Sequence, residues 1–408
     1  MEYLINDNVI FVEGAKNACI YDLNQGNVFS INEEAKTIIK DCIIHSKVNK
    51  TKIEQEYIQL LQKNGLYALD YNPSPYKNEV DKNIKLNFCW LEITQACNLR
   101  CVHCYEGNTH ISAKKTLSFE EWQEVIRQIK ALGCNSIQFI GGEPTAYKEL
   151  IGLIDTAVQV GIEHITLFTN ATLITEELFA CIVKNNINIS FSLYGHNACV
   201  HESVTKVAGS FEKTIKNVKR LQRANVKIRP AVVIMRENED YVEEIKSFIG
   251  YLGLKYEKYD IIRNVYGGCQ GLHTPQRKDV ISKSFRSKPE FSITKEKFEK
   301  AFIINTCWYG KFAITETGDV IPCVFERNIT YGNILDGISK ILSSAELKKY
   351  WFLDINQIDQ CNCCEYRYAC KDCRPLGISK AGNIFEKNPR CTYDPLLGEW
   401  SNAIKEGE

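Results

Sequence analysis

Three cysteines, Cys97, Cys101 and Cys104, stand at offsets of four and three in Cys97-Asn98-Leu99-Arg100-Cys101-Val102-His103-Cys104, just after the apolar run 86–93. Thiolates at that spacing, on a loop leaving a strand, can converge on one metal centre. Soft sulfur ligands select zinc, copper(I) or iron–sulfur clusters. A zinc site normally takes a fourth protein ligand close by, and His103, lying between two of the cysteines, is awkwardly placed to converge with them. Three sulfurs without a fourth point to a cubane with one iron left open for a small molecule.

The C-terminal third repeats the theme. Cys307 precedes an expected hairpin, 311–315 and 320–324, turned at Glu316-Thr317-Gly318-Asp319 and carrying Cys323. Beyond an expected helix over 335–349 come Cys361, Cys363, Cys364, Cys370 and Cys373, then Cys391. On spacing alone both zinc and iron–sulfur remain open here. The whole chain has 18 cysteines and opens on Met1-Glu2-Tyr3-Leu4, with no basic region leading into an apolar core. Metal ligation in a reducing compartment is therefore expected in preference to disulfides, which places the protein in an oxygen-protected cytoplasm. Cys19, Cys42, Cys89, Cys134, Cys181 and Cys199 fall in helix or strand patterns and are expected in the core.

These ligands need elements to position them. A chain of 408 residues implies about two or three domains. The formal charge of +0 gives no electrostatic case for nucleic acid or an anionic membrane surface, and no apolar run is long enough to span a bilayer. Residues 1–78 read as a small domain of their own: three short strands, with a hairpin turn at Asn24-Gln25-Gly26-Asn27, then two helices. The second helix is expected to carry Ile53, Tyr57, Leu60 and Leu61 on one face. Over 84–264, strand-like runs at 85–93, 136–140, 164–169, 188–193, 228–235 and 256–262 alternate with amphipathic helices. One of these opens at the capping box Ser118-Phe119-Glu120-Glu121. Such alternation means parallel strands joined by right-handed crossovers, and six units make a partial (β/α)6 barrel. Residues 265–300 read as a connecting loop and lid, and 301–408 as the cysteine-rich domain.

In parallel sheets the site lies at the carboxyl ends of the strands, and the unusual residues gather there. Gly141-Gly142-Glu143-Pro144 follows the second strand; glycines admit a close approach to the backbone, and the carboxylate can pair with an ammonium. Asn170 follows the third strand, and Ser192 lies in the fourth.

The three-cysteine loop, with His before the last Cys, resembles the signature of the radical S-adenosylmethionine (SAM) enzymes. The cysteines at 307, 323, 361, 364, 370, 373 and 391 resemble their SPASM extension, and residues 1–78 are similar to the winged-helix domain that recognises leader peptides. The resemblance implies an α/β fold with a partial radical SAM barrel between these two domains. It implies SAM and [4Fe–4S] clusters, three per chain. Cys97, Cys101 and Cys104 would hold the catalytic one; Cys361, Cys364, Cys370 and Cys391 a second; Cys307, Cys323 and Cys373 a third, closed by Cys269 or Cys363 or left open. Gly141, Gly142, Glu143 and Pro144 would hold the SAM amino group, and Asn170, Ser192 and Arg229 its ribose or carboxylate. The chain departs from the family in carrying Ala171 and Tyr194 where glycine and aspartate are common, and in placing only two residues between Cys370 and Cys373.

The implied activity is SAM cleavage to a 5′-deoxyadenosyl radical that modifies a ribosomally made precursor peptide by thioether or carbon–carbon crosslinking. Flavodoxin or ferredoxin would supply electrons. The alternatives are a formylglycine-generating enzyme of the anaerobic sulfatase-maturase kind, and a non-catalytic iron–sulfur or zinc protein.

Overall fold

The computed structural model describes residues 8–45, 51–66, 85–105, 115–256, 259–263, 271–283, 285 and 291–401. The chain forms two compact units that interleave along the sequence. One comprises Met1–Asn83, Phe285–Tyr309 and Lys349–Glu408, the other Ile84–Ser284 and Gly310–Lys348.

The first unit opens with the antiparallel sheet β1 (Val9–Glu13), β2 (Ala18–Asp22) and β3 (Asn27–Ile31), with β2 in the centre. Gly26 takes φ +77 in the β2–β3 turn, a conformation that glycine adopts without a Cβ penalty. Two helices follow, Glu33–His45 and Lys52–Lys63. The second is started by a reciprocal cap in which the Thr51 hydroxyl accepts from the Glu54 N–H and the Glu54 carboxylate accepts from the Thr51 N–H. Its buried face carries Ile58 and Leu61, which pack with Val9, Ile20 and Ile39, while Ile53 and Leu60 are exposed. The expected face is thus rotated, because Ile58 rather than Ile53 meets the sheet.

In the second unit the expected parallel strands are present in chain order: β4 (Phe88–Glu92), β5 (Ser136–Ile140), β6 (His164–Thr169), β7 (Asn188–Leu193), β8 (Ile228–Ile234) and β9 (Asp260–Ile261). Alternate residues explain why they form a two-faced sheet. Cys89, Leu91, Ile137, Phe139, Leu167, Ile189 and Phe191 are buried. Trp90, Gln138, Thr166, Phe168 and Ser192, on the opposite face, are half-buried. The crossover helices bury matching stripes, such as Trp122, Val125, Ile126 and Ile129 of the helix Phe119–Ala131. That helix starts at the expected capping box, with Ser118 and Glu121 bonded reciprocally.

The sheet is larger than the six expected strands. β10 (Lys311–Ile314) lies parallel to β4, with Lys311 opposite Phe88, and β11 (Asp319–Ile321) and β12 (Gly332–Asn333) continue it antiparallel. An uncovered β4 would end the sheet in a row of unpaired backbone groups; the hairpin covers that edge and, among the described residues, makes nine strands. Of the cysteines expected in the core, Cys19, Cys89, Cys134 and Cys181 are buried, but Cys199 is exposed in the first turn of the helix Ala198–Thr205, whose buried face carries Val200 and Val204. The Cys42 side chain lies outside the described residues.

Candidate active site

The segments leaving β4 and β5 keep pairing beyond the strands, and this sets where the cysteine loop begins. The Gly142 N–H donates to Thr94 O at 2.7 Å and the Glu143 N–H to Ala96 O at 2.8 Å. A Cβ on Gly141 would stand 2.2 Å from Thr94 O, and one on Gly142 2.3 Å from Gln95 O; Gly141 also takes φ +144. The close approach these glycines allow is therefore that of the cysteine loop's own backbone. The far side of the loop is tied to the helix Ala198–Thr205, with Arg100 N–H donating to Thr205 O and Val102 N–H to Val204 O, both at 3.0 Å.

Cys97, Cys101 and Cys104 face one cleft together with Gly141, Gly142, Glu143, Asn170 and Ser192. The cleft is concave and partly open to solvent, the form of a small-molecule site. Burial pushes the Cys97 thiol up to about 11, against the pull of the Leu99 N–H. Burial and the neighbouring Cys97 and Cys104 raise Cys101 further. Cys97 and Cys101, held as thiols by burial and by the neighbouring sulfurs, would be matched by a cationic iron centre, which reverses that balance. Among the described residues no three His, Cys, Asp or Glu side chains are gathered for a single metal ion. Three cysteines that line one cleft fit a cluster, which would take one sulfur on each of three irons.

Glu143 is the most constrained acid of the cleft, only 1% exposed. Its Oε1 accepts from Thr145 N (3.0 Å), Thr145 Oγ1 (2.6 Å) and Thr169 Oγ1 (2.5 Å), and its Oε2 from Asn170 N (2.7 Å). Burial holds its carboxyl above the ordinary range despite these donors, so a cation beside it would gain from a poorly solvated charge. Pro144 begins the 3-10 turn Pro144–Ala146 that Glu143 caps, and it does not line the cleft.

Asn170 does more than line the cleft. Its Nδ2 donates to Asn98 Oδ1 at 2.9 Å, while Asn98 Nδ2 donates to Thr172 Oγ1 at 2.7 Å, which locks the loop residue after Cys97. Ala171 sits at φ +58, which explains the frequent glycine there: a non-glycine residue in that conformation costs about 1–2 kcal/mol. Thr214 and Asn217 hold the strained segment by donating to the carbonyls of Asn170 and Ala171, each at 2.8 Å. Ser192 is in the wall, but Arg229 is not. The register pairs Arg229 with Ser190, two residues toward the amino end, and its exposed guanidinium donates to Ser190 Oγ at 3.2 Å.

Other residues complete the site. Tyr194 sets its ring 4.8 Å from that of His103, and both line the cleft. Burial lowers His103 to about 4, so the imidazole is neutral. Sequence reading marked Tyr194 only as a departure; its strand-end position was the available signal. Glu92 and Arg327 form a bidentate pair at 2.9 and 3.0 Å, with side chains 3% and 12% exposed, and Tyr105 donates to Glu92 at 3.3 Å. The Glu316 carboxylate accepts from the Gln95 N–H at 2.5 Å. Two acids separated by over 200 residues thus fasten the hairpin carrying Cys323 to the start of the cysteine loop, a pairing that no local pattern signals.

In the first unit, Cys361, Cys364, Cys370 and Cys391 are all half-buried. The Cys361 thiol is raised by burial, then by Asp372, Cys370 and Cys391; Cys364 is raised by burial, then by Glu365, Cys370 and Cys361. The four sulfurs are near enough to repel one another as bare thiolates, which again fits a cluster. Arg374, fully buried, shapes the following segment by donating to Ile384 O at 2.9 Å and Glu386 O at 2.7 Å. Cys307 and Cys373 belong to this unit and Cys323 to the other; Cys269 lies outside the described residues.

Residues 91–249 match the family model of the radical SAM superfamily, and residues 307–374 that of SPASM, an iron–sulfur cluster-binding domain. The mycofactocin maturase of Mycolicibacterium smegmatis is 30% identical over 340 residues, covering 78% of this chain and 84% of that protein. The AdoMet-dependent heme synthase of Oleidesulfovibrio alaskensis is 25% identical over 337 residues, 74% of this chain and 86% of that one. SuiB of Streptococcus suis has the same fold. Its structure bound to S-adenosylmethionine superposes with a TM-score of 0.62 at 16% identity, over 95% of this chain and 100% of that one, and its structure bound to the precursor peptide SuiA with a TM-score of 0.55.

Proposed function

Since the chain belongs to the radical SAM superfamily and carries a SPASM iron–sulfur domain, we propose that it is a maturase that crosslinks a ribosomally made precursor peptide through a thioether or carbon–carbon bond. Its cofactors are S-adenosylmethionine and [4Fe–4S] clusters. When bound, they supply a 5′-deoxyadenosyl radical able to take hydrogen from an unactivated carbon. The protein's own task is placement. Cys97, Cys101 and Cys104 would hold the catalytic cluster. The Glu143 carboxylate would meet the SAM ammonium, and Asn170 and Ser192 its polar remainder. Leu99, Tyr105, Ile140 and Phe168 line the same cleft and exclude water from it. Arg229 has no part in this arrangement. A second cluster would be held by Cys361, Cys364, Cys370 and Cys391.

The observation that favours a peptide substrate is the edge of β3. Among the described residues it has one strand neighbour, β2, and is bridged elsewhere at Asn27, by Ser292. Phe29 on β3 is 40% exposed, and Ile53 and Leu60 are exposed in the same unit. An extended leader can add a strand to such an edge and seat apolar side chains beside it. A flavodoxin or ferredoxin is the proposed electron donor, and the cytoplasm the proposed compartment. Among the described residues no helix is long and apolar enough to cross a membrane.

Anaerobic coexpression with the peptide gene nearest this one, followed by mass spectrometry, tests the reading. A loss of two hydrogens per new bond, dependent on Cys97, supports it. An untouched peptide, together with formylglycine formation on a sulfatase-derived cysteine peptide, overturns it.

A further inference from the structure

The β1–β2 turn and β2 lie against the segment that carries Cys361, Cys363 and Cys364. The Ala15 N–H donates to Cys363 O at 2.7 Å, Arg367 Nη1 to Glu13 O at 2.8 Å, and the Tyr21 hydroxyl to Glu365 O at 2.8 Å. Lys36, 8% exposed, ties the turn from its other side by donating to Gly14 O and Ala15 O at 3.2 and 2.9 Å. At Gly14 the two segments touch so closely that a Cβ would lie 2.5 Å from Glu365 Oε2 and 2.9 Å from Glu365 N. Beneath these bonds Cys19 and Tyr21 share one core with Tyr366 and Tyr393, and Cys364 and Cys391 pack against it.

Every one of these contacts spans more than 300 residues of chain, except those of Lys36. None is explained by local folding, and together they fix the backbone on both sides of Cys364. A cubane accepts its cysteines only if their backbones hold the sulfurs at its corners. We infer that the β1–β2 turn and β2 are positioning elements for the cluster assigned to Cys361, Cys364, Cys370 and Cys391, with Gly14 and Tyr21 as the residues that set the cysteine segment. The inference rests on that cluster assignment. It makes the N-terminal sheet part of the metal-holding body. Removing residues 1–78 would then strip the cluster of its support, and such a truncation would not report on peptide docking alone.

The test uses the full chain, reconstituted anaerobically, with iron content, the EPR signal of the reduced SAM-bound catalytic cluster and peptide-independent SAM cleavage as readouts. Gly14→Val should lose about a third of the iron, on the order of four of twelve atoms if three cubanes form. The SAM-bound signal and SAM cleavage should persist. Tyr21→Phe should lose less, and Lys63→Ala, on the exposed end of the helix Lys52–Lys63, should lose none. Cys361→Ala is the reference for the missing cluster. Full iron in Gly14→Val beside loss in Cys361→Ala overturns the inference alone; full iron in Cys361→Ala overturns the cluster assignment and the inference with it. Loss of all clusters together in Gly14→Val also overturns it, because the contact would then serve folding in general.

Discussion

Glu143→Gln isolates the charge at the centre of the cleft while keeping the shape of the side chain. The amide oxygen takes the Oε1 position, where three donors converge, and the amide nitrogen then faces the Asn170 N–H that Oε2 accepts at 2.7 Å. One hydrogen bond to a charged acceptor is lost, about 1.5–3 kcal/mol, and two buried donors are left facing each other, about 1–3 kcal/mol more. The easier burial of a neutral amide offsets part of this, leaving a net loss of roughly 2–4 kcal/mol. At about 2–4 °C per kcal/mol for a domain of this size, Tm should fall by roughly 4–16 °C. Burial raises the Glu143 carboxyl in the folded state, so its contribution is fully present below the unfolded carboxylate value and declines as pH rises through the folded one. The gap between wild type and variant should therefore be wider at pH 5 than at pH 8. On the proposed pairing of Glu143 with the SAM ammonium, affinity should also weaken by about tenfold or more. Anaerobic thermal unfolding by circular dichroism and equilibrium dialysis with SAM measure the two effects. A Tm change below about 1 °C, or wild-type SAM affinity, would refute the reasoning behind the stability loss or the ammonium pairing respectively.

Replacing Cys97, Cys101 and Cys104 together with Ala should abolish 5′-deoxyadenosine production and leave about eight of twelve irons; surviving deoxyadenosine would show the reactive centre to be elsewhere. Arg327→Met leaves Glu92 buried without its partner and should destabilise by about 3–5 kcal/mol, with the double variant Glu92→Leu/Arg327→Met recovering most of it in a denaturant titration. Cluster assembly must drive protons off thiols that burial holds high, Cys97 at about 11, so iron uptake at this site should fall as pH drops from 8.5 to 6.5; uptake independent of pH would argue against thiolate ligation. Cys363→Ala should leave iron content unchanged, and loss of a cluster would mean that Cys363 closes one.

The sequence by itself determined a good deal of this protein. The spacing of Cys97, Cys101 and Cys104 and the period-2 pattern of the runs at 136–140, 164–169 and 188–193 are local properties. Ligand geometry and strand burial act over a few residues, so the pattern survives without the fold. The carboxyl-end rule pointed to Gly141, Glu143, Asn170 and Ser192, which line one cleft with the three cysteines, because in a parallel sheet strand direction decides which end carries the loops of one face. Arg229 lies in a correctly read strand, but its register opposite Ser190 sets it two residues before the position opposite Ser192, outside the lining of that cleft.

Only the tertiary structure decided what depends on meetings between distant segments. It put β10 beside β4, joined Glu92 to Arg327 and Glu316 to Gln95, and set Tyr21 against Glu365. It also changed the meaning of residues already found. Gly141 and Gly142 make room for the cysteine loop's backbone, and Asn170 holds Asn98. An ion pair or a backbone contact between residues hundreds of positions apart leaves no periodicity behind, since each partner satisfies its own local pattern and the free energy of the pair exists only once packing has brought them together.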